Sequence, residues 1–291
     1  MRDKLHSVLP LFGFDNNACD IDRFCAEEDG TPYHVWTIRC GDSLYVIKRV
    51  SDAEREVYES FFSGECRGVP ENYGFRELDG EAFMLMEYVE GETMTCCSRT
   101  ALKHAIDSII AIQMKFWNNI ELANVGFSFD KSFANKRERL PFMEDLQKAY
   151  QAYLDCYQAV PRTLCNDDLL PFNVITNDTR AVIIDWEYGG ILPYPCALAR
   201  LIAFGEDTPD AMFYMTREDQ EFAVKYYYDN LVVHVGISWE DYIYTLKLFL
   251  FKEYSEWVYC ANSSGMTDMP YYKTYYPVAK SLAVELGFAV C

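Results

Sequence analysis

The stretch Leu164 to Tyr188, LCNDDLLPFNVITNDTRAVIIDWEY, restricts the possible folds more than any other part of the chain. Val174-Ile175 and Ala181 to Ile184 are apolar and β-branched, as paired buried strands require, and Asn177-Asp178 between them supplies a turn. Such a hairpin carries Asp168 and Asn173 on the loop before its first strand and Asp185 at the end of its second. Two carboxylates and a carboxamide then reach one end of one rigid unit. Oxygen donors of this kind suit Mg²⁺, which keeps several waters and takes one or two protein carboxylates beside phosphate oxygens.

Asp168 and Asn173 stand in the Asp-x4-Asn spacing of the protein-kinase catalytic loop. There the Asp accepts the substrate hydroxyl proton, the Asn holds a metal, and a second metal-binding Asp follows on a later strand. The spacing alone recurs by chance. The hairpin and the Ile-Ile-Asp strand end are what give it structural context.

The totals set limits. A chain of 291 residues is expected to form two lobes, and with half its residues hydrophobic it can bury a large core. No apolar run approaches the roughly 20 residues that span a bilayer, so no membrane segment is expected. The first twenty residues lack the apolar run and small-residue cleavage site of a secretory leader, so a cytoplasmic protein is expected. A formal charge of −19 argues against nucleic acid as a partner, and would draw cations toward a cleft. The eleven cysteines are scattered with no Cys-x-x-Cys, and are expected to be mostly small buried hydrophobes with free thiols. Four widely spaced histidines argue against zinc.

Strand signals come first along the chain: Ile21 to Ala26, His34 to Cys40 and Leu44 to Val50, the last two joined by Gly41-Asp42. The intervening Glu27-Glu28-Asp29-Gly30-Thr31-Pro32 is placed as a hairpin tip over nucleotide phosphates, with Gly30 as its one glycine, although three acids and a proline suit that role poorly. Lys48 alternates onto the same face as Val46 and can reach phosphates if that face looks into a cleft; an exposed strand-end lysine reads the same. Ser51 caps a helix over 52–62. Glu54 is assigned to its capping box and Glu59 to solvent, which leaves Glu56 as the expected partner of Lys48. Val69 to Phe75 and Ala82 to Tyr88 follow as strands. At the second one's end, Glu87 C=O and Val89 N–H are candidates for an adenine edge, though a buried strand ending in a turn predicts the same residues.

From Ser98 the apolar period becomes helical. Helices are expected from Ser98 to about Asn118, over Lys136 to Tyr157, Pro195 to Phe204, Thr216 to Leu231, Ser238 to about Ala261, and Pro277 to Leu286. Tyr254, Trp257, Tyr271 and Tyr275, interleaved with Glu253, Glu256 and Asp268, form either an acidic aromatic pocket for an ammonium ion or ordinary core.

LCNDDLLPFNVI followed by VIIDWEYGG resembles the signature of the aminoglycoside phosphotransferase and choline/ethanolamine kinase group, which shares the protein-kinase-like fold. The resemblance implies an α+β bilobal architecture. Residues 1–88 would form a small antiparallel sheet lobe with one helix, and 89–291 a mainly helical lobe with the catalytic hairpin. It implies ATP and Mg²⁺, with Asp168 as catalytic base, Asn173 and Asp185 as metal ligands, and Lys48 with Glu56 on the phosphates. It implies a hydroxyl on a small molecule as acceptor, expected here to be cationic. Asn166 stands where the family has histidine, Ala197 where it has aspartate, and Gln113 where it has histidine on the early helix. A catalytically silent nucleotide- or partner-binding module is the alternative these departures leave.

Overall fold

The period-2 pattern before residue 90 and the 3.6-residue pattern after it become a sheet and a helical body. The computed structural model describes residues 2–25, 30–64, 66–208 and 211–290. Strands β1 (Cys19–Cys25), β2 (Pro32–Cys40), β3 (Ser43–Val50), β4 (Asn72–Leu78) and β5 (Glu81–Glu87) form an antiparallel sheet in the order β1-β2-β3-β5-β4. Helix α1 (Arg2–Val8) covers one face, where Leu5, Val8 and Leu9 meet Trp36, Ile47 and Phe83. Helix α2 (Asp52–Phe61), capped by Ser51 Oγ, lies on the other face, where Val57, Tyr58 and Phe61 meet Val50, Met84 and Met86.

After β5 the chain forms β6 (Glu92–Thr93), α3 (Arg99–Lys115), α4 (Phe129–Glu138) and α5 (Gln147–Ala159). Strands β7 (Arg162–Asn166), β8 (Val174–Thr176), β9 (Ala181–Ile183) and β10 (Gly189–Pro193) follow. Helices α6 (Pro195–Ala203), α7 (Arg217–Asn230), α8 (Trp239–Ser264) and α9 (Pro270–Glu285) complete the body. One core runs from α2 and β5 through α3, α5 and the hairpin to α6 and α8. The fold is therefore α+β with a sheet lobe and a helical lobe, as expected. No described helix is long and apolar enough to cross a membrane.

The β8–β9 hairpin pairs Val174 with Ile183, and the Asn177 side chain closes its turn by accepting from Thr179 N (3.0 Å) and Arg180 N (3.1 Å). Gly91, next to β6, passes so close to β8 that an added Cβ would collide with the Thr176 carbonyl.

Several expectations need correction. The single helix expected over 136–157 is two, because Pro141 cannot donate a backbone hydrogen bond and clashes with the preceding turn; short 3₁₀ turns at Leu140–Phe142 and Glu144–Leu146 bridge the break. The last helix begins at Pro270 rather than Pro277, and packing against α8 carries it through the internal proline. Strand β4 starts at Asn72, three residues later than expected. Cys19 and Cys40 are not free: register places them opposite each other on β1 and β2 with Cα atoms 4.5 Å apart, and a disulfide joins them. Cys97, Cys165 and Cys196 are buried free thiols, but Cys25, Cys96 and Cys260 are exposed.

Candidate active site

The inner face of β3 meets the start of α2 and the end of the β8–β9 hairpin at Lys48. Its ammonium lies 2.7 Å from Glu54 Oε1 and 2.8 Å from Asp185 Oδ1, a residue 137 positions away. Burial alone would lower the Lys48 pKa, but the Glu54 and Asp185 carboxylates outweigh it and hold the ammonium above its ordinary range. The expected partner, Glu56, is elsewhere: its carboxylate accepts from Gly126 N at 3.0 Å. Helical geometry explains the correction. Glu54, Val57, Tyr58 and Phe61 occupy i, i+3, i+4 and i+7, the buried stripe of α2, and Glu56 lies off it. Glu54 is only 2% exposed and also accepts from Trp186 N at 3.2 Å, so it ties α2 to the hairpin's exit.

Glu54→Ala is expected to destabilise the protein by about 2–3 kcal/mol, since it leaves a largely buried ammonium with one partner and Trp186 N with none. Glu56→Ala removes one hydrogen bond and is expected to cost about 1 kcal/mol. Urea unfolding of the two variants checks this order, and equal losses would contradict the assignment.

The loop that carries Asp168 is held by the residue that stands where the resembled family has histidine. Asn166, at the end of β7 and 1% exposed, accepts from Asp168 N (2.9 Å) through Oδ1 and donates Nδ2 to Asp185 O (2.9 Å). Its carboxamide thus binds the backbones of both acidic residues. Asn173 donates Nδ2 to Asp168 O at 2.9 Å, and its own carbonyl accepts from Ile184 N at 2.9 Å. Asp185 sits in the left-handed region at φ 58°, a conformation a non-glycine residue adopts only when its surroundings impose it. Asp168, Asn173, Asp185 and Lys48 are thereby brought together.

Behind Asp168 lies a charged network that was not anticipated. Arg200 on α6 donates Nη2 to Asp168 Oδ1 at 2.7 Å, and its Nη1 lies 2.8 Å from Glu253 Oε2 and 3.3 Å from Glu256 Oε2 on α8. Lys252 pairs with the same two glutamates at 3.0 Å each, and Arg139 pairs with Glu256. Lys136 on α4 lies 2.5 Å from Asp167 Oδ2, both largely buried. Burial pushes the Asp168 carboxyl above its ordinary range while Arg200 pulls against it. A sequence signal for Arg200 existed: it is the lone charge in the otherwise apolar helix PCALARLIA.

The remaining predicted residues divide. Gly30 adopts a left-handed φ of 71° and is exposed, while the acidic tip at 27–29 lies outside the described residues. Val89 is buried, and its N–H has no hydrogen-bond partner among the described residues. Glu87 ends β5, and its side chain pairs with Arg180. The aromatic cluster is present, with Trp257 stacked on Tyr271 (4.4 Å) and Tyr275 against Tyr254 (5.5 Å) and Phe204 (5.3 Å). Its expected acids are not: Glu253 and Glu256 are spent inside the network, and Asp268 pairs with Lys273. The carboxylate that does touch the cluster is the exposed Glu206, 3.3 Å from Tyr275 OH. Phe204 lies under the Arg200 guanidinium, which connects this face to Asp168.

No cluster of three or more His, Cys, Asp or Glu side chains among the described residues could hold a metal by itself. The oxygens of Asp185 and Asn173 instead suit a hard cation completed by water and phosphate. Asn173 Nδ2 is engaged with Asp168 O, which leaves Oδ1 as the side-chain atom that could meet such a cation.

No protein-family model matches the sequence, and no curated protein matches it either. Solved structures do. A choline/ethanolamine kinase family protein from Mesorhizobium loti superposes with a TM-score of 0.62 at 16% identity, covering 98% of this chain and 95% of that one. Choline kinase from Cryptosporidium parvum gives 0.61 at 10% identity, covering 100% and 98%. A thermostable mutant of an aminoglycoside phosphotransferase, in ternary complex with ADP and hygromycin B, gives 0.60 at 14% identity, covering 99% of each chain. The chain has their protein-kinase-like fold. Within this kinase-like fold, Gln113 on α3 donates to Tyr194 O at 3.0 Å and accepts from Tyr227 OH at 2.5 Å, so it braces the start of α6. Ala197 is buried in the apolar turn that follows.

Proposed function

We propose that the protein is an ATP- and Mg²⁺-dependent phosphotransferase that acts on a hydroxyl of a small, cationic molecule. The observation that carries this reading is Lys48, salt-bridged at once to Glu54 and Asp185 across the two lobes, beside a catalytic loop whose Asp168 and Asn173 are locked to the same hairpin. Phosphoryl transfer asks a protein mainly for positioning and charge neutralisation, and this constellation offers both. Asp168 accepts the acceptor's hydroxyl proton. Lys48 contacts the phosphates, with Glu54 and not Glu56 as its partner. Val89 N–H and the Glu87 carbonyl face the adenine edge where residues 1–88 give way to 89–291, and Gly30 lies in the hairpin over the phosphates. Asp185 and Asn173 hold Mg²⁺, which neutralises charge on the phosphate oxygens.

The cationic acceptor is supported by the Phe204, Tyr254, Trp257 and Tyr275 face with Glu206 at its edge. A silent module has no chemical need for Lys48, Asp168, Asn173 and Asp185 together. The test is release of ADP from Mg·ATP in the presence of amino alcohols, aminoglycosides and uncharged polyols. Acceptor-dependent ADP release with the amines is expected. Binding of Mg·ATP without release by any acceptor would leave the silent module instead.

A further inference from the structure

The sheet's outer face, which the candidate site does not use, carries a concavity of its own. Where α1 crosses the sheet, a cavity of about 210 Å³ opens beside the small core, floored by Trp36 and Phe83 and walled by Leu5. That is space for several waters, enough to admit one substituted aromatic ring.

The rim of the cavity carries two cations, Lys4 and Arg49, and one carboxylate, Glu81, a net positive balance in a chain with 45 acidic residues against 26 basic ones. Lys4 Nζ lies 2.7 Å from Glu81 Oε2 and Arg49 Nη1 lies 2.9 Å from Glu81 Oε1. Glu81 thus spends one oxygen on each cation and holds both in place. Arg49 retains its Nε and Nη2 donors, and Lys4 retains two of its three, with no partner among the described residues. The Arg23 guanidinium, outside the lining, sits 5.2 Å from the Trp36 ring centre. Burial and then the charges of Arg49 and Arg23 lower the pKa of His34, which stands beside Trp36 and is the neutral polar group of the lining. Unspent donors on fixed cations above an aromatic floor match a flat apolar body that ends in an anionic head.

We propose that this cavity is a binding site for a small aromatic anion, with Arg49 and Lys4 taking its carboxylate or phosphate and Trp36 and Phe83 taking its ring. Arg49 neighbours Lys48 on β3 but points to the opposite face, so the site is separate from the interlobe cleft and stands whether or not the protein transfers phosphate.

The test uses the full ¹⁵N-labelled chain titrated with benzoate, phenyl phosphate, benzylammonium and benzyl alcohol. Benzoate and phenyl phosphate are expected to shift the Trp36 indole N–H and the amides around 34–36 and 49 saturably, with dissociation constants below about 1 mM. Comparison of the two assigns the preferred head group. The alcohol and the ammonium are expected to bind at least about tenfold more weakly, because neither pairs with the cations. Arg49→Gln, and independently the half-exposed Lys4→Gln, should each weaken benzoate by about fivefold or more. Lack of saturation by about 20 mM, equal binding of benzyl alcohol, undiminished binding in the folded variants, or shifts confined to the cleft would each overturn the proposal.

Discussion

Asparagine in place of Asp168 is expected to lower turnover by about 10²–10⁴-fold, the range that a positioned general base contributes. Affinity for ATP should hardly change, because Lys48 keeps both its carboxylate partners. The substitution is close to isosteric and leaves Arg200 bonded to Glu253 and Glu256, so the loop should stay folded. The base acts only when ionised. Since burial raises its pKa, wild-type activity should fall as pH drops through a value above the ordinary carboxylate range of about 3.9. Initial rates of ADP release across pH, with nucleotide binding measured separately, check both statements. Turnover within tenfold of wild type would remove Asp168 from the mechanism.

Lys136→Met should be the most damaging change to stability away from the nucleotide side, at about 3–5 kcal/mol. Lys136 is 3% exposed, and it bonds Ser132 Oγ at 2.8 Å as well as Asp167. Its loss strands a carboxylate next to Asp168. Burial alone would raise the Asp167 pKa, but Lys136 and Lys252 outweigh it and hold the carboxyl below its ordinary value. A depressed carboxyl contributes stability that is present above its unfolded pKa, about 3.9, and is lost as pH falls through the folded value. The variant's deficit should therefore be full at neutral pH and shrink in acid, where Asp167 takes up a proton. Urea midpoints measured at neutral pH and below about pH 3 would show it, and a deficit independent of pH would rule out this pair as its source.

The geometry of the candidate site was legible where its signals are local. Asp168, Asn173 and Asp185 sit on one hairpin, and alternation on β3 turned Lys48 toward the core that faces it. Glu56 was preferred because a capping role was assigned to Glu54. In fact Ser51 caps the helix through Glu54's backbone N–H alone, which leaves the Glu54 side chain free for Lys48. Asn166 read as a lost histidine because its value lies in two backbone contacts that no spacing reveals. The disulfide escaped for a related reason. Cys19 and Cys40 meet only once the register of β1 against β2 is set, and that register depends on the core beneath.

By itself, then, the amino-acid order determined the type of most elements, the sheet-then-helix layout and the side chains gathered on the hairpin. Apolar period, turn residues and caps act over a few positions and survive in any tertiary setting. Only the folded structure decided which carboxylate joins Lys48, that Arg200 holds Asp168, and that the two glutamates of α8 serve the interior rather than a ligand. Those pairings link distant parts of the chain, and charges pair with whichever partner packing brings within about 3 Å while water is excluded.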